Sequence, residues 1–290
     1  MAQVYVHNVS GGSVNLSNLQ VNGMGFGDDA DFFVGIFYEG SSGTINQVIT
    51  TSQNDNSGSS VTGFGMWIQG GSSKPSVTVE NSSMHDFTQC GIYAVGTTTA
   101  PDLTVTIKNN NISSASQLSY NPVVEEGTDP TVSGNVVAGG YTGIYIDAPT
   151  GSITGNTVLG SLLGITLVAD GPSVKSNSIF NTVDYGIYVA TNVAASVIES
   201  NTIRTVNQPG SLDTSGTGIE LGCNTVSSSK VNSNTLLDLK YGYGNTLAGF
   251  AGSNTYVGVV TDVNPCTTDD VSKKASAAAR LKFLGQSRGQ

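Results

Sequence analysis

The chain of 290 residues carries 11 basic and 21 acidic side chains, a net charge of −10, and only 11% of its residues are charged. Five of the basic residues, Lys273, Lys274, Arg280, Lys282 and Arg288, fall in the last twenty positions, which leaves six against 21 acids over residues 1–270. A body so poor in Lys and Arg cannot neutralise a phosphate backbone, which excludes nucleic acid as a partner and disfavours anionic polysaccharides unless a cation bridges them; no apolar run reaches membrane-spanning length.

Gly, Ser, Thr, Asn and Val dominate, a composition of strands and tight turns, so the expected class is all-β. The chain opens on a strand-like Val4-Tyr5-Val6, and Met1-Ala2-Gln3-Val4 lacks the form of a signal peptide. Two markers then return in phase. An Asn recurs at Asn111, Asn135, Asn156, Asn177, Asn201 and Asn234, with further members expected at Asn18, Asn46, Asn81 and Asn254. A Gly, commonly followed by Ile, recurs at Gly35, Gly65, Gly91, Gly143, Gly164, Gly186, Gly218 and Gly242. The segments beginning at Pro130, Gly151 and Pro172 align almost without gaps, each as three short β runs in a unit of 21 or 22 residues. Such units bury their inward residues only by stacking, with strands ~4.8 Å apart, so about ten coils make a rod roughly 45–50 Å long. Asn at a corner suits a left-handed turn, and its amide can bond to the next coil's Asn as a ladder.

The N-[TS]-[IV] and G-I pairs over about residues 10 to 260 resemble the right-handed parallel β-helix superfamily that includes the pectate-lyase-like proteins. That resemblance implies a single-stranded right-handed parallel β-helix. The domain reading is one solenoid over 1–270 and a tail over 271–290. In that tail Ser272–Leu284 is the one run of good helix formers, read as a short C-terminal helix capping the barrel.

Strand alternation turns the residue after each G-I Ile outward. Up the coils that column reads Phe37, Trp67, Tyr93, Val124, Tyr145, Thr166, Tyr188 and Glu220, five aromatic residues of eight in a chain only 7% aromatic. An exposed row of rings is a platform for sugar faces or a protein interface, and cross-strand stacking that merely stabilises the sheet is the plain alternative. Three enlarged connections, Asn18 to Gly35, Asn46 to Gly65 and Asn201 to Gly218, leave from the turn beside this column and could wall a groove. Two positions further along, a second column reads Glu39, Gln69, Val95, Glu126, Asp147, Val168 and Ala190, if the irregular fourth coil uses Asn121-Pro122-Val123 in place of Gly-Ile. Glu126 and Asp147 then stand on adjacent coils, backbones about 5 Å apart, a spacing that suits the acid/base and nucleophile of a retaining glycosidase.

Other candidates are weaker. Asp28, Asp29 and Asp31 could offer oxygens to calcium, but the spacing matches no standard loop, and no cofactor is expected. The Gly-Asp-Asp there is similar to the paired aspartates of polygalacturonases, yet that family's Asn-Thr-Asp, Gly-His-Gly and Arg-Ile-Lys elements are missing, so those roles are not carried over. A lyase needs cations to hold the developing charge, and the outward columns contain none. His7 and His85 lie on different coils, Cys90 has no activating His beside it, and Cys90, Cys223 and Cys266 form no metal motif. The expected function is an extracellular protein that binds a neutral or weakly charged glycan on Phe37, Trp67, Tyr93, Tyr145 and Tyr188, with Glu39 and Glu220 beside them. Whether the protein is an enzyme stays open at this point; if it is, the reading is a polysaccharide-degrading glycoside hydrolase rather than a lyase, with Glu126 and Asp147 as its carboxylates. The alternative is a catalytically silent structural or adhesive stalk, a homo-oligomer.

Overall fold

The computed structural model describes residues 2–9, 12–25, 33–54, 63–96, 101–114, 121–190, 193, 196–205, 216–221, 230–244 and 252–264. Among them are thirty strands and no helix. The expected helix over 272–284, the tail 271–290, Asp28, Asp29, Asp31, Cys223 and Cys266 lie outside the described residues, as do large parts of the three enlarged connections.

Strands three apart in the chain pair with each other, except that the last two, Thr255–Val257 and Thr261–Asn264, pair with the strand two before, and the thirty divide among three parallel sheets. Sheet 1 has eleven strands, from Ala2–His7 to Thr261–Asn264; sheet 2 has nine, from Ser13–Ser17 to Lys230–Asn232; sheet 3 has ten, from Gln20–Asn22 to Thr255–Val257. One turn through all three is one coil, so the β-helix of about ten coils expected from the repeat is the observed architecture.

Alternation turns columns of aliphatic side chains to the inside of each sheet. Ile36, Met66, Ile92, Val123, Ile144 and Ile165 stack along sheet 1, with Ile107, Val132 and Ile153 in sheet 2 and Ile112, Val137 and Val158 in sheet 3, all fully buried. Val123 stands in register between Ile92 and Ile144, which confirms the fourth coil's Asn121-Pro122-Val123 as the substitute for Gly-Ile. The glycine of the G-I pair is required by contact rather than by backbone conformation. A Cβ on Gly164 would lie 2.3 Å from the carbonyl oxygen of Gly186 in the next coil and 2.7 Å from Ile179.

Between sheets 2 and 3 runs the expected ladder, with two corrections. Its members are Asn110, Asn135, Asn156, Asn177, Asn201, Asn234 and Asn254. Asn110, not Asn111, holds the third-coil position, and Asn18, Asn46 and Asn81 are not rungs. Below Asn110 the ladder passes to Ser82, whose backbone N–H donates to Asn110 Oδ1 (2.9 Å), and ends at Val48, whose N–H donates to Ser82 Oγ (3.0 Å). The second correction is conformational: the left-handed corner belongs to the residue before each rung, Gly134 (φ 63°), Gly155 (φ 66°) or Ser176 (φ 55°), and Asn18 and Asn81 occupy that corner position. Each central rung donates its N–H and Nδ2 to the next rung's Oδ1 and a second Nδ2–H to a strand carbonyl, as Asn156 does to Asn177 (2.9 and 3.0 Å) and to Val132 O (2.9 Å). A buried amide so arranged leaves no donor unpaired.

Candidate functional site

The outer face of sheet 1 carries both predicted columns in the expected register. Phe37, Trp67, Tyr93, Val124, Tyr145, Thr166, Tyr188 and Glu220 stand opposite one another coil by coil, and Tyr5 extends the row by one. The column divides in two. Tyr5, Phe37, Trp67 and Tyr93 are in continuous contact, with ring centroids 5.1 Å apart for Tyr5–Phe37, 5.4 Å for Phe37–Trp67 and 5.2 Å for Trp67–Tyr93. Tyr5 is 53% exposed and the other three are half-buried. Above Val124 the side chains are covered: Tyr145 is 7% exposed, and Tyr188 and Glu220 3% each. The expectation of one exposed row of five rings is therefore corrected to a four-ring row at the N-terminal coils, without Tyr145, Tyr188 and Glu220. Burial, followed by the charge of Glu220, pushes the Tyr188 phenol up to about 12.

Val34, Phe64 and Cys90, near the start of the same strands, join Val124 and Tyr145 of the ring column in a small second core on the outside of the sheet, against which Phe37, Trp67 and Tyr93 pack. Cys90 is buried in it, and burial pushes its thiol far above the usual range, so it is a packing residue and not a nucleophile.

The polar column runs His7, Glu39, Gln69, Val95, Glu126 and Asp147. Glu126 and Asp147 are in register on adjacent coils, as the irregular fourth coil requires. Glu126 is half-buried and accepts a hydrogen bond from the Tyr93 hydroxyl (3.1 Å), whereas Asp147 is exposed. The rings and the carboxylates are thus tied together at Tyr93–Glu126.

Sequence reasoning missed two groups. The first is the knot that closes the N-terminal end of the face. The Tyr5 hydroxyl donates to Glu39 Oε2, His7 Nδ1 lies 2.8 Å from the same oxygen, and Asn8 Nδ2 lies 3.0 Å from His7 Nε2. Its hydrogen bond to Glu39, aided by that charge and by desolvation, pushes the Tyr5 phenol up to about 12, so Tyr5 stays a neutral donor. Val4-Tyr5-Val6-His7 shows the alternation of an outward Tyr and His, but this first strand lacks the Gly marker that set the phase elsewhere. The second is Glu125, opposite Ala94 and Ile146, which alternation turns into the barrel. It is fully buried; Thr128 Oγ1 donates to its Oε2 (2.9 Å), and Oε1 has no partner. Burial pushes its carboxyl up to about 8. His85 lies on sheet 3, paired with Asp86 (2.9 Å) and away from this face. Among the described residues no group of three or more His, Cys, Asp and Glu is placed to hold a metal.

With three stacked parallel sheets and the ladder established, a family model described as a right-handed beta helix region matches residues 90–258. The chain belongs to that family. No curated protein matches it. Among solved structures, this β-helix is similar to the A-module of the mannuronan C-5 epimerase AlgE4 of Azotobacter vinelandii, at 14% identity over 91% of this chain and 82% of that one, with a TM-score of 0.34.

Proposed function

We propose that this β-helix binds a neutral or weakly charged polysaccharide, outside the cell, across the N-terminal coils of sheet 1. The observation that carries the reading is the unbroken row Tyr5–Phe37–Trp67–Tyr93 with a polar column, Glu39, Gln69, Glu126 and Asp147, two residues along the same strands. Ring faces take up the apolar C–H surface of a sugar, and the acids and amide beside them take up its hydroxyls. Successive rings separated by one strand spacing suit an extended chain lying along the rod. The row also stabilises the sheet itself, by about 0.5–1.5 kcal/mol per ring pair, so the two roles coexist.

Hydrolysis at Glu126 and Asp147 is the chemistry that we assign to this surface, with the half-buried Glu126 as acid and base and the exposed Asp147 as nucleophile. The test is retention of the full chain on a panel of immobilised neutral and acidic polysaccharides, with reducing ends and unsaturated products assayed together. Trp67→Ala is expected to weaken retention about tenfold, the equivalent of 1.4 kcal/mol, while the thermal transition remains cooperative. Glu126→Gln or Asp147→Asn is expected to abolish new reducing ends and leave retention in place. Retention unchanged in Trp67→Ala, with loss of an oligomer instead, would replace glycan binding by the stalk reading.

A further inference from the structure

On the opposite side of the molecule from this site's chemistry, at the corner between sheets 2 and 3, a groove of about 630 Å³ crosses the lower coils. Its floor is the place where the asparagine ladder gives out: Asn110, then Ser82, then Val48, all buried. Asn110 Oδ1 accepts one hydrogen bond there, from the Ser82 N–H, whereas each rung above accepts two.

The walls differ from the same corner higher up. The left-handed positions bear amide side chains here, Gln47 (φ 54°), Asn81 (φ 51°) and Asn109 (φ 56°), and are Gly134 and Gly155 in the next two coils. Asn81 Nδ2 donates to Asn46 Oδ1 (2.9 Å), but the side-chain amides of the exposed Gln47, Asn109 and Asn111 make no hydrogen bond to any described residue, and Asn109 Oδ1 lies over the Gly134 corner of the next coil. Exposed Ile49 (40%) and Val136 (42%) lie in the same wall, on the column that also holds Ser83 and Asn111. No lining residue is charged, and Glu80 and Lys108, each one residue before a lining asparagine, pair with each other at 2.8 Å.

We infer that this groove is a second binding site for a neutral sugar, independent of the aromatic face. A carboxamide offers one acceptor and two donors side by side, which matches a pair of vicinal hydroxyls. Aliphatic side chains next to such amides accept the C–H face of a pyranose, and absence of charge removes any reason to prefer an acidic one. The three amide-bearing corners span roughly 10 Å, two strand spacings, so one or two sugar units are covered. The groove is open, so the affinity belongs on the order of 1 mM.

The test is a ¹H–¹⁵N titration of the ¹⁵N-labelled full chain with cellohexaose, mannohexaose, chitohexaose and hexagalacturonate. The expected result is a saturable shift of the side-chain NH₂ signals of Gln47, Asn109 and Asn111 with at least one neutral sugar, kept in Trp67→Ala and at least ~tenfold weaker in the exposed-site double variant Asn109→Ala/Asn111→Ala. The NH₂ signal of the buried rung Asn156 reports that the double variant is folded. Those three signals unmoved by every neutral hexasaccharide, a stronger response to hexagalacturonate, or a response untouched by the double variant would each overturn the proposal. Loss of the response in Trp67→Ala would also overturn it, by making the groove part of the first site.

Discussion

Glu125 shows how one side chain can set the pH response of the whole domain. Its carboxyl sits among the inward aliphatic columns with one oxygen bonded to Thr128 and the other unpartnered, and burial lifts it from 4.5 to about 8. Below pH 4.5 it is protonated whether the chain is folded or not, and its contribution is fully present. Between 4.5 and about 8 the unfolded chain releases the proton and the folded chain keeps it, so stability falls as pH rises, by a total of roughly 5 kcal/mol. Glu125→Gln, whose amide oxygen can still accept from Thr128, is expected to leave stability near pH 4 almost unchanged and to raise it progressively up to pH 8, read as the difference between variant and wild-type denaturation curves from pH 4 to 9. Equal shifts at both pH values would show that the residue acts through packing alone. In the sequence Glu125 and Glu126 are twin acids, and only the phase of a strand that lacks Gly-Ile says which one faces inward.

At the scale of the element, the ladder and the G-I columns divide into parts that were legible and parts that were not. From Asn135 to Asn234 the Gly follows the rung by eight or nine residues wherever the coil is compact, so the two markers together assign every inward residue, and the sheet 1 register follows them without slip. Below Asn135 polar look-alikes crowd the turn. Asn109, Asn110 and Asn111 are consecutive, Asn81 precedes a Ser that does the rung's work, and only side-chain hydrogen bonds tell the rung from the corner. The outward direction of the aromatic column was readable from alternation, but its accessibility depends on what else packs on that face, which alternation does not encode. Breaking one rung tests the ladder's value. Asn177→Ala strands the N–H and Nδ2 of Asn156 and the Ile153 carbonyl and leaves Asn201 Oδ1 with the backbone N–H of residue 177 alone, so a loss of about 3 kcal/mol or more is expected in denaturant titrations. Asn254→Ala, at the last rung and half-buried, is expected to cost less than half as much.

For the whole molecule, each coil meets only its two neighbours, so local stability is a sum over neighbours and declines toward the ends. The coils from Val123 to Val189 combine unbroken rungs with three buried aliphatic columns, whereas the first strands of sheets 2 and 3, Ser13–Ser17 and Gln20–Asn22, each have a partner on one side only. Amide hydrogen exchange is therefore expected to be slowest for the strands between Val123 and Val189 and faster by orders of magnitude in Ser13–Ser17. Uniform protection along the rod would mean that the chain opens as one cooperative unit.

The ladder also gives the rod a direction. Every rung from Asn110 to Asn234 gives its backbone N–H and one Nδ2–H to the next rung toward the C-terminal end, and each oxygen from Asn135 to Asn254 accepts that pair from the rung before, without one reversal. Their dipoles add, each amide polarising the next, so the stack is an oriented electrical line rather than a set of separate bonds. Its negative pole is the Asn110 oxygen at the floor of the amide-lined groove. For the second site inferred above, the consequence is that a ligand in the groove would meet the field of that line's negative end, which favours a hydroxyl over a carboxylate even though no charged residue lines the groove.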